Sequence, residues 1–131
     1  MHYILIPLLI CITSAHHYYH IHEDELYYSK TDEGPRIVRH SFFMQNFRLG
    51  YKLKLFCEAH GKPLPDLRWY KDGVEIPGRG EIRIRNQVSN NSIASHLDID
   101  PARMRDAGEY ECVANNTYGY HLQHIRAQIR L

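Results

Sequence analysis

The sequence predicts an all-β, antiparallel sandwich. Short runs alternate apolar and polar residues with a period of two, turn signals from Gly, Pro, Asn and Asp recur roughly every 8 to 12 residues, and no stretch sustains a helical period. The composition fits one globular domain: the chain has 131 residues, 44% hydrophobic and 24% charged, with a formal net charge of +1. Such a balance excludes a fibrous or wholly disordered chain and gives no global bias toward nucleic acid.

The first fifteen residues, MHYILIPLLICITSA, stand apart. An apolar run from Tyr3 to Ile12 is followed by Thr13 and Ala15, small residues at the spacing signal peptidase accepts. The run is shorter than the ~20 apolar residues a bilayer span requires. Residues 1–15 are therefore expected to be a signal peptide, leaving a soluble, secreted chain without a membrane span or lipid anchor. Cleavage would remove Cys11 and leave Cys57 and Cys112, an even pair that an oxidising compartment is expected to join.

Residues 16–34, HHYYHIHEDELYYSKTDEG, are polar, lack either period and end at the turn-forming Gly34 and Pro35. They are expected to form a flexible tail. The tail carries five acids against Lys30, whereas residues 34–131 carry fifteen Lys or Arg against ten acids. An acidic segment thus precedes a basic domain at 35–131.

Within that domain, Leu53, Leu55, Cys57 and Ala59 alternate with Lys52, Lys54, Phe56 and Glu58, a strand with one buried face. After the turn HGKPLPD, Leu67 and Trp69 point inward and Arg68 and Tyr70 outward. Asp72 and Gly73 then close a hairpin onto a short return strand from Val74 to Ile76. EIRIR turns Ile82 and Ile84 one way and Arg83 and Arg85 the other, and NQVSNNS reads as a loop. Ile93, Leu97 and Ile99 are inward positions of the next strand, which Pro101 stops. Tyr110, Cys112 and Ala114 follow, and Ile125, Ala127, Ile129 and Leu131 close the pattern.

Cys57, then Trp69 twelve positions on, the Leu97–Asp98–Ile99 step, and Cys112 preceded by Asp106, Gly108 and Tyr110 together resemble the immunoglobulin fold over residues 35–131. GKPLPDLRWYKDGVEI, with the short run between Val74 and Ile82, is similar to the intermediate set (I-set), common in adhesion and neuronal proteins. The resemblance implies a Cys57–Cys112 bond between two facing sheets with Trp69 packed against it. It also implies a tyrosine corner at Tyr110, close turning at Gly108, and a bond from Asp106 to that corner or to an arginine such as Arg83. By the same resemblance the chain is similar to small secreted immunoglobulin proteins of invertebrate neurons and neuromuscular junctions, which organise receptors or maintain cell contacts.

Catalytic chemistry is not expected, because no acid pair, phosphate loop or Ser/His/Asp order stands out and histidines such as His60, His96 and His121 read as surface residues. His16, His17, His20 and His22 could gather a metal ion, but a tail without a scaffold favours no metal, and no cofactor is implied. Tyr27 and Tyr28, after Glu23, Asp24 and Glu25, read as unmodified tail residues in preference to sulfation sites. Asn90 and Asn115 each head an N-x-S/T sequon, marking expected glycosylation sites.

Two binding faces follow from strand parity. Tyr70, Val113, Tyr118, Tyr120 and Leu122 would gather on one sheet as a partner-binding face for extracellular or cell-surface proteins, including receptors or other immunoglobulin-domain proteins. Lys52, Lys54, Arg83 and Arg85 would gather on the other as a polyanion-binding face. That second face underlies the alternative reading, a glycosaminoglycan-binding or growth-factor-like ligand that takes sulfated polysaccharide.

Overall fold

The structure is a computed structural model that describes residues 18–21 and 25–131. Its strands are β1 (Tyr18–Ile21), β2 (Glu25–Ser29), β3 (Arg36–His40), β4 (Met44–Phe47), β5 (Leu53–His60), β6 (Asp66–Lys71), β7 (Val74–Glu75), β8 (Ile82–Ser89), β9 (Ser92–Ile99), β10 (Gly108–Asn116) and β11 (Gly119–Ile129). Two sheets face each other. One runs β1-β2-β11-β10-β6-β7 with β4 also on β11, and the other runs β3-β5-β9-β8.

Alternation sets the core. Leu53, Leu55, Cys57 and Ala59 of β5 and Ile93, Leu97 and Ile99 of β9 are buried, facing Leu67, Trp69, Tyr110, Cys112, Ala114, Ile125 and Ala127 of the other sheet. Cys57 and Cys112 are joined across the sandwich with their Cα atoms 6.5 Å apart. Trp69 is the register partner of Cys112, is only 1% exposed, and donates its indole N–H to Ser95 Oγ at 2.9 Å. Burying the ring without that acceptor would leave a polar group unpaired.

The expected corner is present. Tyr110 Oη donates to the Asp106 carbonyl at 2.6 Å, and burial raises the phenol's pKa, so it serves as a neutral donor. Asp106 takes the first of the two bonds foreseen for it: its Oδ2 accepts from the backbone N–H of Arg103 at 2.7 Å, fixing the turn rather than reaching Arg83. Arg103 and Arg105 meanwhile reach Glu81 at 2.8 and 3.3 Å, and hydrogen bonding to Arg103 holds that carboxyl below its ordinary range. At the β6–β7 hairpin both Asp72 and Gly73 have positive φ, 50° and 84°, as a type I′ turn requires.

Four sequence expectations change. NQVSNNS is not all loop: β8 continues to Ser89, and Val88 pairs with Ile93, because a two-residue turn at Asn90 (φ 49°) and Asn91 suffices to close the hairpin. Leu131 lies beyond the end of β11 and is fully exposed. His121 is a core residue, 2% exposed, because β11 begins at Gly119 and places the ring on its inward face. There its Nδ1 accepts the Ile37 N–H at 2.7 Å, a bond that ties β3 of one sheet to β11 of the other. Finally, the described part of the segment expected as a flexible tail is paired. Glu25–Ser29 pairs antiparallel with Gly119–Gln123, and Tyr18–Ile21 pairs in turn with β2.

Gly119 shows why that addition is possible. A Cβ there would overlap the Tyr28 carbonyl oxygen and lie 2.8 Å from the Ser29 Cα, so the close approach of β2 requires a residue without a side chain. Gly119→Ala is expected to push β2 off β11 while the disulfide core stays intact. Hydrogen exchange would report it: amides of residues 25–29 should exchange at least about tenfold faster, with those of β9 and β10 unchanged. Unaltered protection in β2 would refute this account of the glycine. The signal peptide expected at residues 1–15 lies outside the described residues.

Candidate functional site

The outward side of the larger sheet is built by register. Across β6, β10 and β11, Tyr70 pairs with Glu111 and Glu111 with His124. One row on, Arg68 pairs with Val113 and Val113 with Leu122. The next row joins Asp66, Asn115 and Tyr120. Tyr120 is then the partner of Tyr28 on β2, and the two rings stack with centroids 5.9 Å apart at 30°. The centre of the face is therefore the half-buried pair Val113 and Leu122, with Tyr70 on one flank and the Tyr120–Tyr28 stack on the other.

Charges rim that centre. Arg68 lies 2.7 Å from Asp66 and 3.3 Å from Glu75, and these acids raise its guanidinium pKa further. Arg126 stands 4.0 Å from Glu109. An apolar middle with paired charges around it is the arrangement of a recognition face, since water leaves the middle at little cost while the rim stays hydrated. His124 adds a buried Nδ1 atom with no hydrogen-bond partner among the described residues.

The expected members of this face are mostly brought together: Tyr70, Val113, Tyr120 and Leu122 share it. Tyr118 instead sits in the two-residue turn between β10 and β11, where its backbone carbonyl accepts from Lys30 N at 2.8 Å. Tyr28 is the member that sequence reading missed. The signal available was Gly119 beside a run of aromatic residues, which only a docked strand makes meaningful. Tyr27 is also engaged, edge-on to His121 at 5.1 Å and beneath the Arg36 guanidinium at 4.5 Å. A second apolar group, Phe42, Phe43 and Met44, is exposed in and after the β3–β4 connection, beside the sheet edge rather than on the face.

The basic face is dissected by acids. Register places Asp98 between Lys54 and Arg83, and Arg85 lies 3.6 Å from Asp98. Lys52 and Arg83 line a shallow cleft with Glu81, Asp98 and Asp100. Beside it Arg39 stands 3.4 Å from Glu58. Alternating charges of this kind cancel the field that a sulfated polysaccharide would need, so the arrangement lends that alternative no support. Of the histidines considered for metal, His16, His17 and His22 lie outside the described residues, and His20 contributes backbone pairing in β1.

The family profile of the immunoglobulin I-set domain matches residues 35–129. The chain belongs to the immunoglobulin I-set family. Among its relatives, the immunoglobulin domain-containing protein oig-1 of Caenorhabditis elegans is 47% identical over 97 residues, which cover 74% of this chain and 71% of that protein. The cell adhesion molecule Dscam2 of Drosophila melanogaster is 32% identical over 88 residues, covering 66% of this chain but only 4% of that much longer protein. Among solved structures, one in a complex of Dpr2 Ig1-Ig2 with DIP-Theta Ig1-Ig3 superposes with a TM-score of 0.71 at 18% identity, over 81% of this chain and 41% of that one, a likeness of fold. Among the described residues no helix is long and apolar enough to cross a membrane.

Proposed function

We propose that this chain is a secreted recognition protein that binds other extracellular or cell-surface proteins, immunoglobulin-domain proteins among them, through the outward face of β6, β10 and β11. The observation that carries the reading is the Val113–Leu122 pair at the centre of that face, flanked by Tyr70 and the Tyr120–Tyr28 stack and rimmed by ion pairs. The family and its adhesion-molecule relatives agree with recognition rather than catalysis. Secretion rests on residues 1–15 and on a disulfide that an oxidising compartment would maintain. The role proposed for it is to organise receptors or maintain cell contacts at neuronal or neuromuscular synapses.

The test is a double variant, Tyr70→Ala with Leu122→Ala, secreted as a fluorescently tagged chain and applied to cells of the source tissue. Both side chains are only partly buried, so secretion and the circular dichroism spectrum should match wild type. Saturable cell-surface staining should be lost, since two hot-spot residues at about 2 kcal/mol each weaken affinity by roughly a thousandfold. Wild-type staining by the folded variant would place recognition elsewhere.

A further inference from the structure

Asn115 and Tyr120 are cross-strand partners on the outward side of the sheet, and Tyr120 is itself stacked on Tyr28. We propose that Asn115 carries an N-linked glycan whose first sugar lies on the Tyr120–Tyr28 pair and clamps β2 to the sheet. The proposal rests on the secretory route inferred above.

The acceptor is well presented. Asn115 is exposed, and no hydrogen bond within the described residues ties its amide. Its other register partner, Asp66, is engaged by Arg68 at 2.7 Å. The middle residue of the sequon is held rigidly instead. Asn116 Nδ2 donates to the carbonyls of Glu33 and Pro63 at 3.2 and 3.0 Å, and Asn116 Oδ1 accepts from Tyr118 N at 2.9 Å. That leaves Thr117, the hydroxyl residue of the sequon, exposed in the turn. In the transfer step a lipid-diphosphate-linked oligosaccharide is the donor. Its anomeric C–O bond breaks, a C–N bond forms to Asn115 Nδ2, the amide gives up one proton, and the lipid diphosphate leaves.

Directly opposed residues in an antiparallel pair have Cβ atoms about 4.5–5.5 Å apart, so a sugar ring on Asn115 reaches the Tyr120 ring without rearrangement. The apolar C–H face of a pyranose packs on an aromatic face as other apolar groups do, and Tyr120 lies between Asn115 on β10 and Tyr28 on β2. Because Tyr28 belongs to β2 and Tyr120 to β11, a sugar seated against Tyr120 would hold that ring on Tyr28 and so keep the two strands together. Asn90 offers the contrast: it is also exposed, but it occupies a hairpin tip between Ser89 and Ser92, with no aromatic partner across the turn. A glycan there would project freely.

The sugar also divides the proposed recognition face. It would cover the row of Asn115 and Tyr120 and leave Tyr70, Val113 and Leu122 open.

The experiment uses the full chain expressed in a eukaryotic secretory host. Peptide mapping after peptide N-glycosidase treatment should find Asn115 converted to Asp, the mark of an occupied site. Hydrogen exchange before and after deglycosylation should show residues 25–29 losing about tenfold in protection, with no change around Asn90. Tyr120→Ala should retain the glycan yet abolish that difference, which separates packing on the ring from mere bulk. A secreted chain with Asn115 unmodified, or a modified one whose β2 protection ignores the glycan, overturns the proposal alone. A chain that is never secreted and carries no glycan overturns the secretory reading with it.

Discussion

Replacing Cys57 or Cys112 with Ala should destabilise the domain by roughly 4 kcal/mol, the chain-entropy value for closing a loop of this length. The bond encloses a separation of 55 residues and joins β5, central in one sheet, to β10, central in the other. Without it the unfolded chain regains the freedom of that whole loop, while the folded state keeps apolar packing and a few hydrogen bonds, such as Trp69 to Ser95 and Ile37 to His121, between the sheets. Domains of ordinary size hold about 5–15 kcal/mol in all, so the loss is a large share of the margin. The expected result is failure of secretion, or a urea midpoint shifted down by about 2 M at a typical slope for a small domain. Thiol labelling of the secreted wild-type chain is the direct check. A reactive thiol at Cys57 or Cys112 without denaturant, or a variant with an unshifted midpoint, would remove the bond from the account.

Trp69→Ala is expected to cost about 3–5 kcal/mol, the range for deleting a buried aromatic ring. The indole is enclosed by both sheets and is bonded to Ser95, so truncation leaves a cavity and an unpartnered hydroxyl in the same place. Trp69→Phe separates the two contributions: it keeps much of the apolar volume and loses the hydrogen bond. Because Trp69 and Cys112 are register neighbours, their effects should not add. Once the disulfide is gone, the space around the ring can relax, and the second substitution should cost less than it does alone. Denaturant titration of the two single variants and the double variant measures this. Strict additivity, or a loss below about 1 kcal/mol for Trp69→Ala, would mean that ring and bond are not one packed unit.

Much of the fold is legible in the residues because both of its determinants are local. Period-two alternation names the inward face of β5, β6, β9 and β10 residue by residue, and Asp72–Gly73 names a turn through its backbone preference. What is not legible depends on partners distant in the chain. β2 has no alternation of its own to announce it and becomes a strand only because β11, some ninety residues on, offers an open edge and a glycine to pass over. His121 reads as a surface residue until the Ile37 N–H arrives from 84 positions away. The proposed recognition face divides along the same line. Outward parity places Tyr70, Val113, Tyr120 and Leu122 correctly, whereas Tyr28 joins them through tertiary pairing. Outward parity also gathers the cations of the smaller sheet, but the Asp98 that neutralises them emerges only from cross-strand register.

β11 runs parallel to β4 along one stretch, with Arg126 to Ile129 matched to Met44 to Phe47, although the other strand pairs among the described residues are antiparallel. This has a mechanical meaning. In an antiparallel hairpin, tension on the two free ends opens the ladder like a zip, one bond at a time. Here the chain enters β4 and leaves β11 at opposite ends of the paired stretch, so a pull along the chain slides the two strands past each other. All of their bonds then bear load together and must yield together. A protein that spans a gap between two cell surfaces would meet traction in that direction, and the parallel pairing of β4 with β11 is a geometry that resists it.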